Sequence, residues 1–266
     1  MTRRVAERIR VRCIAQALLE SLSVSLREFY APHYTVTDPA RGERLGRWRA
    51  LGAANKAAHV AALYGAAGPV VEIGCGDGAL LAALSSRGIG SRLDGFEISP
   101  EAAELARLKH IPRVGRIEAY DGVRIPADDD AYDLAVLSHV VEHIPEPLPV
   151  LREAARLAPR VIVEVPLEAN RSARRPAVRA EAARIGHVHA FDRDAVRLLC
   201  SRAGLTVVSE LTDPLSLAHH SFFAADAAAR GKAALKTFVR RAAFRASPER
   251  AERLFTVHYA CLAARG

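Results

Sequence analysis

The sequence PVVEIGCGDGALLAAL, at residues 69–84, decides the fold. Its first five residues form a short apolar run rich in β-branched side chains, which is typical of a strand buried on both faces. The residues after Gly78 have helical composition, so a strand is predicted to pass through a glycine turn into a helix. Because Gly74, Gly76 and Gly78 lack a Cβ, the backbone can turn sharply and lie against a ligand at the helix N-terminus. The stretch predicts a nucleotide-cofactor site.

Two acidic residues accompany this turn, Glu72 near the end of the strand and Asp77 between the last two glycines. Carboxylates at these positions would repel a pyrophosphate. The stretch also lacks the G-x-G-x-x-G of dinucleotide sites and the Gly-Lys-Ser/Thr of a phosphate-binding loop. The acids suit a cofactor that has a cationic end and no phosphates, such as S-adenosylmethionine with its sulfonium and ammonium groups.

Two motifs carry a family resemblance. VVEIGCGDG, at residues 70–78, resembles motif I of the class I S-adenosylmethionine-dependent methyltransferases, and SHVVEHIPEP, at residues 138–147, is similar to the H-V-L-E-H-V-x-x-P run of their small-molecule members. The resemblance extends from Gly68 to Asp213. It implies S-adenosylmethionine as cofactor and an α/β, Rossmann-like sheet of seven mostly parallel strands with helices on both faces.

The alternation of strand and helix patterns supports this fold class. After the first strand, further strands are predicted over residues 92–98, 114–120, 131–138, 160–165, 205–211 and 254–263. Ser99 and Pro100 have the residue types of an N-cap and a first helical turn, so a helix is predicted from there to about His110.

The chain is predicted to have two parts. Residues 1–66 read as an N-terminal helical cap: an amphipathic helix in the first two dozen residues, a polar connection at 29–46 and a second helix at 47–64. Residues 67–266 read as the cofactor-binding methyltransferase domain. Within it, residues 213–253 are predicted to be a mainly helical insertion before the last strand.

Candidate cofactor-binding residues lie in the glycine turn and at the carboxyl ends of predicted strands. Glu97 ends the second strand, where an acid binds ribose hydroxyls in such units, a role that the resemblance also implies. The resemblance further implies that Asp121 contacts the adenine amino group. The complete set is Glu72, Gly74, Cys75, Gly76, Asp77, Gly78, Glu97, Ile98, Asp121, Gly122, Ser138 and His139.

Histidines are the candidate catalytic residues, since an alcohol, phenol or ammonium acceptor must lose a proton and imidazole is the natural base near neutral pH. His187 and His189 lie in a GHVH loop expected to cover the pocket, and His143 lies in the Glu-His pair of the second motif. Each could instead hold its loop by hydrogen bonds. No metal site is predicted, because no carboxylate or cysteine completes His187 and His189 with His219 and His220 at a recognisable spacing.

A basic stretch separates the fifth strand from the GHVH loop. Its arginines have two interpretations, a solvated helix face or a clamp on a carboxylate or phosphate of the acceptor. They are Arg171, Arg174, Arg175, Arg179 and Arg184.

Composition excludes several classes of protein. The formal charge is +8 and the pI about 9.7, but no basic stripe is interleaved with aromatic residues, so nucleic-acid binding is not predicted. The four cysteines lack C-x-x-C spacing, which fits a reducing compartment. Without a signal peptide or an 18-residue apolar run, the protein is expected to be cytoplasmic and not inserted in a membrane.

The sequence thus predicts an enzyme that methylates an oxygen or nitrogen of a small molecule, one with an anionic group if the arginines act as a clamp. One alternative is a methyltransferase for macromolecules, although the N-P-P-Y-like signatures of base methylation are absent after the fourth strand. The other is a non-catalytic cofactor- or partner-binding module on the same fold. Retention of Glu72, Asp77, Glu97 and Asp121 argues against such a module.

Overall fold

The centre of the computed structural model is a seven-stranded mixed sheet, and the structure describes residues 26–32, 34–35, 38–65 and 68–266. The strand order is β3-β2-β1-β4-β5-β7-β6; β7 is antiparallel to both β5 and β6, and the other pairs are parallel. The strands are β1 Val70–Ile73, β2 Leu93–Glu97, β3 Val114–Ala119, β4 Leu134–Ser138, β5 Arg160–Pro166, β6 Leu205–Asp213 and β7 His258–Arg265. The predicted Rossmann-like sheet is confirmed.

Nine helices of the described part of the chain surround the sheet, and residues 26–32 are helical as well. No helix within the described residues has the length and apolar character needed to cross a membrane. A 3₁₀ turn lies at Val141–His143. The helices are α1 Pro39–Leu63, α2 Ala79–Ser86, α3 Pro100–Leu108, α4 Leu148–Leu157, α5 Pro176–Arg184, α6 Arg193–Arg202, α7 Leu217–Ser221, α8 Ala227–Ala246 and α9 Pro248–Leu254.

The two faces of the sheet bury separate apolar clusters, because successive side chains of a strand point to opposite sides. Val71 of β1 packs with Leu151 of α4 on one face. Its neighbour Val70 packs with Leu81 of α2 and Ala57 of α1 on the other. Helices therefore cover both faces, and the carboxyl ends of the parallel strands remain as the edge where ligands bind in such sheets.

Capping residues and glycines next to the helices explain where most of the helices begin. The Ser99 side chain accepts a hydrogen bond from the Ala102 N–H at 3.2 Å, which confirms the predicted N-cap of α3. Gly78 precedes α2 in the left-handed conformation, with φ of 74°. Such a φ is readily adopted only by glycine, so the turn and the helix start depend on this residue type.

The predicted connection at 29–46 is partly wrong. The helix α1 begins at Pro39, where the Asp38 side chain accepts from the N–H groups of Ala40 and Arg41. The prolines and glycines of this stretch suggested an irregular connection, but Asp38 serves as an N-cap and Pro39 lies in the first helical turn.

The start of the last strand was also misplaced. Strand β7 begins at His258 rather than at 254, because α9 extends to Leu254. Residues 213–253 run from the last residue of β6 through α7, α8 and most of α9. Helix α1 shares a buried cluster with β1, and the division of the chain at residue 66 stays a prediction. The amphipathic helix predicted for the first two dozen residues lies outside the described residues.

Candidate active site

Two side chains pack closely against the glycine turn after β1. Gly74 and Gly76 have positive φ angles of 77° and 52°. A Cβ on Gly74 would lie 2.6 Å from Cγ2 of Val140, and a Cβ on Gly76 would lie 2.8 Å from the hydroxyl of Tyr34. Both glycines are needed for their backbone conformation and for the space they leave.

Glu97, at the end of β2, is buried and fixed by the backbone. Its carboxylate accepts hydrogen bonds from the N–H groups of Gly76 at 2.8 Å, Ile98 at 2.9 Å and Ser99 at 3.0 Å. Burial raises the pKa of Glu97, and these three bonds oppose the rise. Since a carboxylate offers about four acceptor positions, roughly one remains for a ligand.

The two acids of motif I have different surroundings. Glu72 is buried, which raises its pKa well above the usual range against the opposing charge of Lys56. Among the described residues, none makes a hydrogen bond to Oε2 of Glu72. Asp77 is instead paired with Lys109 at 3.0 Å and with Arg49 at 3.4 Å.

A cavity of about 180 Å³ opens at the carboxyl ends of β1, β2 and β4. Its wall includes five of the predicted cofactor residues, namely Gly74, Glu97, Ile98, Gly122 and His139. The other seven are outside this wall: Glu72, Cys75, Gly76, Asp77, Gly78, Asp121 and Ser138. Asp121 caps its own turn by accepting from the N–H groups of Val123 and Arg124.

The segment before α1 supplies part of the cavity wall, which sequence reasoning missed. Leu26, Tyr30 and Tyr34 line the cavity. The Arg49 guanidinium lies 4.8 Å from the centre of the Tyr34 ring and holds it over the glycine turn. The aromatic run FYAPHY at 29–34 was the available signal, although it does not indicate which surface these rings would cover.

The three candidate catalytic histidines differ in position. His143 lines the cavity, and burial lowers its pKa to about 4. Burial also lowers the pKa of His187, but the adjacent Glu168 outweighs it and raises the pKa above its usual value. Nε2 of His189 lies 3.0 Å from the Ile144 carbonyl, so this ring fastens its loop to the turn after β4.

Glu164, in the middle of β5, organises a buried polar cluster that the sequence analysis did not identify. Its carboxylate lies 3.1 Å from Nδ1 of His59 and accepts a bond from the Ser138 hydroxyl at 3.2 Å. Burial alone would raise the pKa of Glu164, but His59 and the neighbouring imidazoles lower it to about 2. An acid inside the apolar run RVIVEV was the signal, because a buried charge requires partners.

The comparison with models of protein families shows which family the chain belongs to. The model of a family described as "Methyltransferase domain" matches residues 27–210, which is more than half of the sequence. The chain belongs to this methyltransferase family. The resemblance to class I S-adenosylmethionine-dependent methyltransferases is thereby confirmed, and no curated protein matches the chain.

Solved structures share the fold of this methyltransferase at low sequence identity. A chain of the Haloferax volcanii complex between the Trm112 methyltransferase activator and a protein assigned as a methyltransferase has a TM-score of 0.60 and 20% identity, covering 87% of this chain and 100% of that one. A Thermotoga maritima protein described as a possible histamine N-methyltransferase has a TM-score of 0.59 and 16% identity, covering 90% and 99%.

A third such structure is the geranyl diphosphate C-methyltransferase of Streptomyces coelicolor, in complex with Mg²⁺, geranyl diphosphate and S-adenosyl-L-homocysteine. It has a TM-score of 0.58 and 16% identity, covering 80% of this chain and 77% of that one. At these identities the similarity establishes the fold alone.

The residues of the methyltransferase fit S-adenosylmethionine, the cofactor of its family. Gly74 lies in the cavity wall, and Glu97 retains about one acceptor position beside the cavity. The unpartnered oxygen of Glu72 is suited to a cationic group, because a buried carboxylate is stabilised by a positive charge. Gly74 and Glu97 line the cavity and are the residues that would hold the cofactor there, whereas Glu72 and Gly76 lie outside its wall.

The arginines between β5 and the GHVH loop lie apart from this site. All five are exposed, and none lines the cavity. Arg184 pairs with Glu181 of the same helix at 2.6 Å. These positions favour the solvated-face interpretation over the clamp.

Proposed function

We propose that this methyltransferase transfers the methyl group of S-adenosylmethionine to an oxygen or nitrogen of a small molecule bound in the cavity. One observation carries the proposal: a single cavity wall joins Gly74 and Glu97, on the cofactor side, to His143. The cofactor supplies a methyl group already activated on a sulfonium, so the protein has mainly to align the acceptor with it.

The lining of the cavity supports a small acceptor with an apolar body. Its volume is about 180 Å³, and the segment before α1 forms part of its wall. Apolar side chains dominate that wall, a composition typical of small-molecule sites. They are Leu26, Ile98, Val140, Ile144, Pro149 and Val150, with the rings of Tyr30, Tyr34 and Tyr120.

The charge of the cavity wall favours a neutral or cationic acceptor over an anionic one. Among the described residues, those of the wall include the acids Glu97 and Glu146 but no lysine or arginine. The anionic group predicted from the arginine stretch therefore has little support from the protein alone. The choice of oxygen or nitrogen as the methylated atom belongs to the proposal, because a C-methyltransferase also has this fold.

Cofactor binding and acceptor turnover test the proposal separately. We expect calorimetry to show S-adenosylmethionine and its demethylated product binding to the purified chain. A panel of phenols, alcohols and amines should then release the demethylated product, and mass spectrometry of the methylated acceptor should identify an oxygen or nitrogen. Absence of cofactor binding would contradict the proposed use of S-adenosylmethionine. Methylation at carbon would contradict the proposed transfer to oxygen or nitrogen.

A cavity-filling variant tests the location of the acceptor. Ile144→Trp adds bulk to a residue of the wall, whereas Leu198→Trp adds it to an exposed residue of α6. The first change should raise the acceptor KM at least about tenfold, roughly 1.4 kcal/mol, and leave cofactor affinity unchanged. An acceptor KM that is the same in both variants would place the acceptor elsewhere, as expected of a macromolecular substrate.

A further inference from the structure

We propose that Glu142, His143 and His187 form a binding site for a divalent transition-metal ion at the cavity wall. One donor atom from each residue lies within 4.8 Å of the other two. The sequence alone predicted no metal site, because it grouped His187 with His189, His219 and His220 and offered no carboxylate or cysteine at a recognisable spacing from them. Folding brings these donors together.

The carboxylate of Glu142 is the first argument. The residue is fully buried, and neither of its oxygens has a hydrogen-bond partner among the described residues. Nδ1 of His139 lies 3.1 Å from Oε1, but without hydrogen-bond geometry. A buried carboxylate is costly unless it is paired or coordinates a metal. Glu142 therefore has the environment expected of a metal ligand.

The two imidazoles are held from the opposite side of each ring. Nδ1 of His143 lies 2.6 Å from the Tyr30 hydroxyl, and Nδ1 of His187 lies 2.8 Å from Oε2 of Glu168. The ring centres are 4.7 Å apart. Metal-binding histidines usually have their second nitrogen fixed by such an oxygen, which orients the ring. Nε2 is the nitrogen of each ring that would bind the metal ion, and the His143 ring also interacts with the backbone of Gly186.

The backbone fixes the relative positions of the donors. The carbonyl oxygen of Glu142 accepts hydrogen bonds from the N–H groups of Val188 at 2.9 Å and His189 at 3.2 Å. These bonds join the GHVH loop to the 3₁₀ turn after β4. The site is thus preorganised by two segments that pair through their main chains.

A second histidine and glutamate group, His139, Glu164 and His258, also has donors within 4.8 Å of one another. Its carboxylate is already engaged by His59 and Ser138. Because those partners satisfy the charge of Glu164, this group needs no ion, and the proposal concerns the Glu142 group alone.

The donor set indicates which ions would bind. Two imidazoles and one carboxylate suit Zn²⁺, Co²⁺, Fe²⁺ or Mn²⁺, whereas Mg²⁺ and Ca²⁺ prefer oxygen ligands. Three protein ligands leave coordination positions for solvent or substrate. Because His143 lines the cavity, the ion would act as a Lewis acid on an acceptor oxygen there. That chemical role rests on the proposed function, but metal binding does not.

The test is a Co²⁺ titration of the full chain after chelator treatment, followed by visible absorption and calorimetry, with Zn²⁺ as competitor. We expect one Co²⁺ per chain, displaced by Zn²⁺. Glu142→Gln and His187→Gln should weaken binding more than the roughly 10–100-fold expected for Glu168→Gln, which removes only an orienting partner. His219→Gln, a buried histidine outside the group, is the matched control and should bind like the wild type.

Two results would overturn the proposal: no uptake of Co²⁺ or Zn²⁺ by the wild type, or equal affinities in the His187→Gln and His219→Gln proteins. Circular dichroism checks that each variant is folded. If the Glu142→Gln protein is unfolded, the metal affinity of the Glu168→Gln protein decides the question. Cofactor calorimetry on the same samples separates the two proposals. A chain that binds S-adenosylmethionine but no metal ion contradicts only the metal site.

Discussion

The hydroxyl of Tyr30 lies 2.6 Å from Nδ1 of His143, so the segment before α1 is tied to the turn after β4. Both residues line the cavity. The contact joins the part of the chain outside the sheet to the SHVVEH motif, and it fixes one orientation of the His143 ring.

Loss of this contact should affect stability and turnover. Tyr30→Phe removes only the hydroxyl, and we expect the free energy of unfolding to fall by about 1 kcal/mol. The acceptor kcat/KM should fall about tenfold, because the imidazole loses its fixed orientation. Thermal unfolding and steady-state kinetics measure the two effects. Tyr64→Phe, at the end of α1 and outside the cavity wall, is the control; equal behaviour of both variants would show that the contact contributes nothing.

Glu97→Ala should weaken S-adenosylmethionine binding by about 10–100-fold, the effect of one hydrogen bond to a charged acceptor. The same change leaves the N–H groups of Gly76, Ile98 and Ser99 without their acceptor, so the variant should also be less stable. Calorimetry and thermal unfolding give the two values. The exposed Glu104 of α3 provides a matched Glu→Ala control. Unchanged cofactor affinity in the Glu97 variant would refute its predicted contact with the ribose.

A pair of glycine variants separates backbone strain from crowding at the turn. Gly74 and Gly88 have nearly equal φ angles of 77° and 75°, but only at Gly74 would a Cβ meet another atom, Cγ2 of Val140 at 2.6 Å. Gly88→Ala should cost about 1 kcal/mol for the left-handed backbone. Gly74→Ala should cost clearly more and reduce cofactor affinity. Similar unfolding temperatures for the two variants would mean that Val140 moves aside without cost.

The ion pairs of His59 predict a pH-dependent stability. Nδ1 lies 3.1 Å from Glu164, and Nε2 lies 3.4 Å from Asp213. Burial lowers the pKa of His59, but the two carboxylates outweigh it and raise the pKa to about 9 from 6.5. A raised pKa in the folded state stabilises the protein fully below the unfolded value, and this stabilisation is lost as the pH rises through the folded value.

The stability difference between the wild type and His59→Gln should therefore decrease between about pH 6.5 and pH 9. Allowing for solvent screening, we expect the decrease to be about 1–2 kcal/mol. Denaturant unfolding at a series of pH values measures it. His110→Gln changes an exposed histidine outside this cluster and should show no such trend. A pH-independent difference for His59→Gln would mean that the imidazole is neutral in the folded protein.

The sequence by itself determined the order of strands and helices along the chain and the glycine turn after the first strand. The β-branched run before Gly74 and the glycines after it indicate a strand, a turn and a helix from local steric properties. Ser99 and Pro100 mark a helix start because capping involves only neighbouring backbone groups. Errors occurred where one local signal had two meanings, as with Asp38-Pro39, which can begin a turn or a helix.

Tertiary structure alone decided which residues share the cavity and the buried clusters. The sequence pointed to Glu97 through its position at a strand end and to His143 through a motif. It did not point to Tyr30 or His59, whose partners lie more than 100 positions away. Nor did it place His187 beside Glu142, because that meeting depends on hydrogen bonds between two loops. Local preferences act within a few residues, whereas these contacts form only after the sheet has set the strand order and brought the ends of β4 and β5 together.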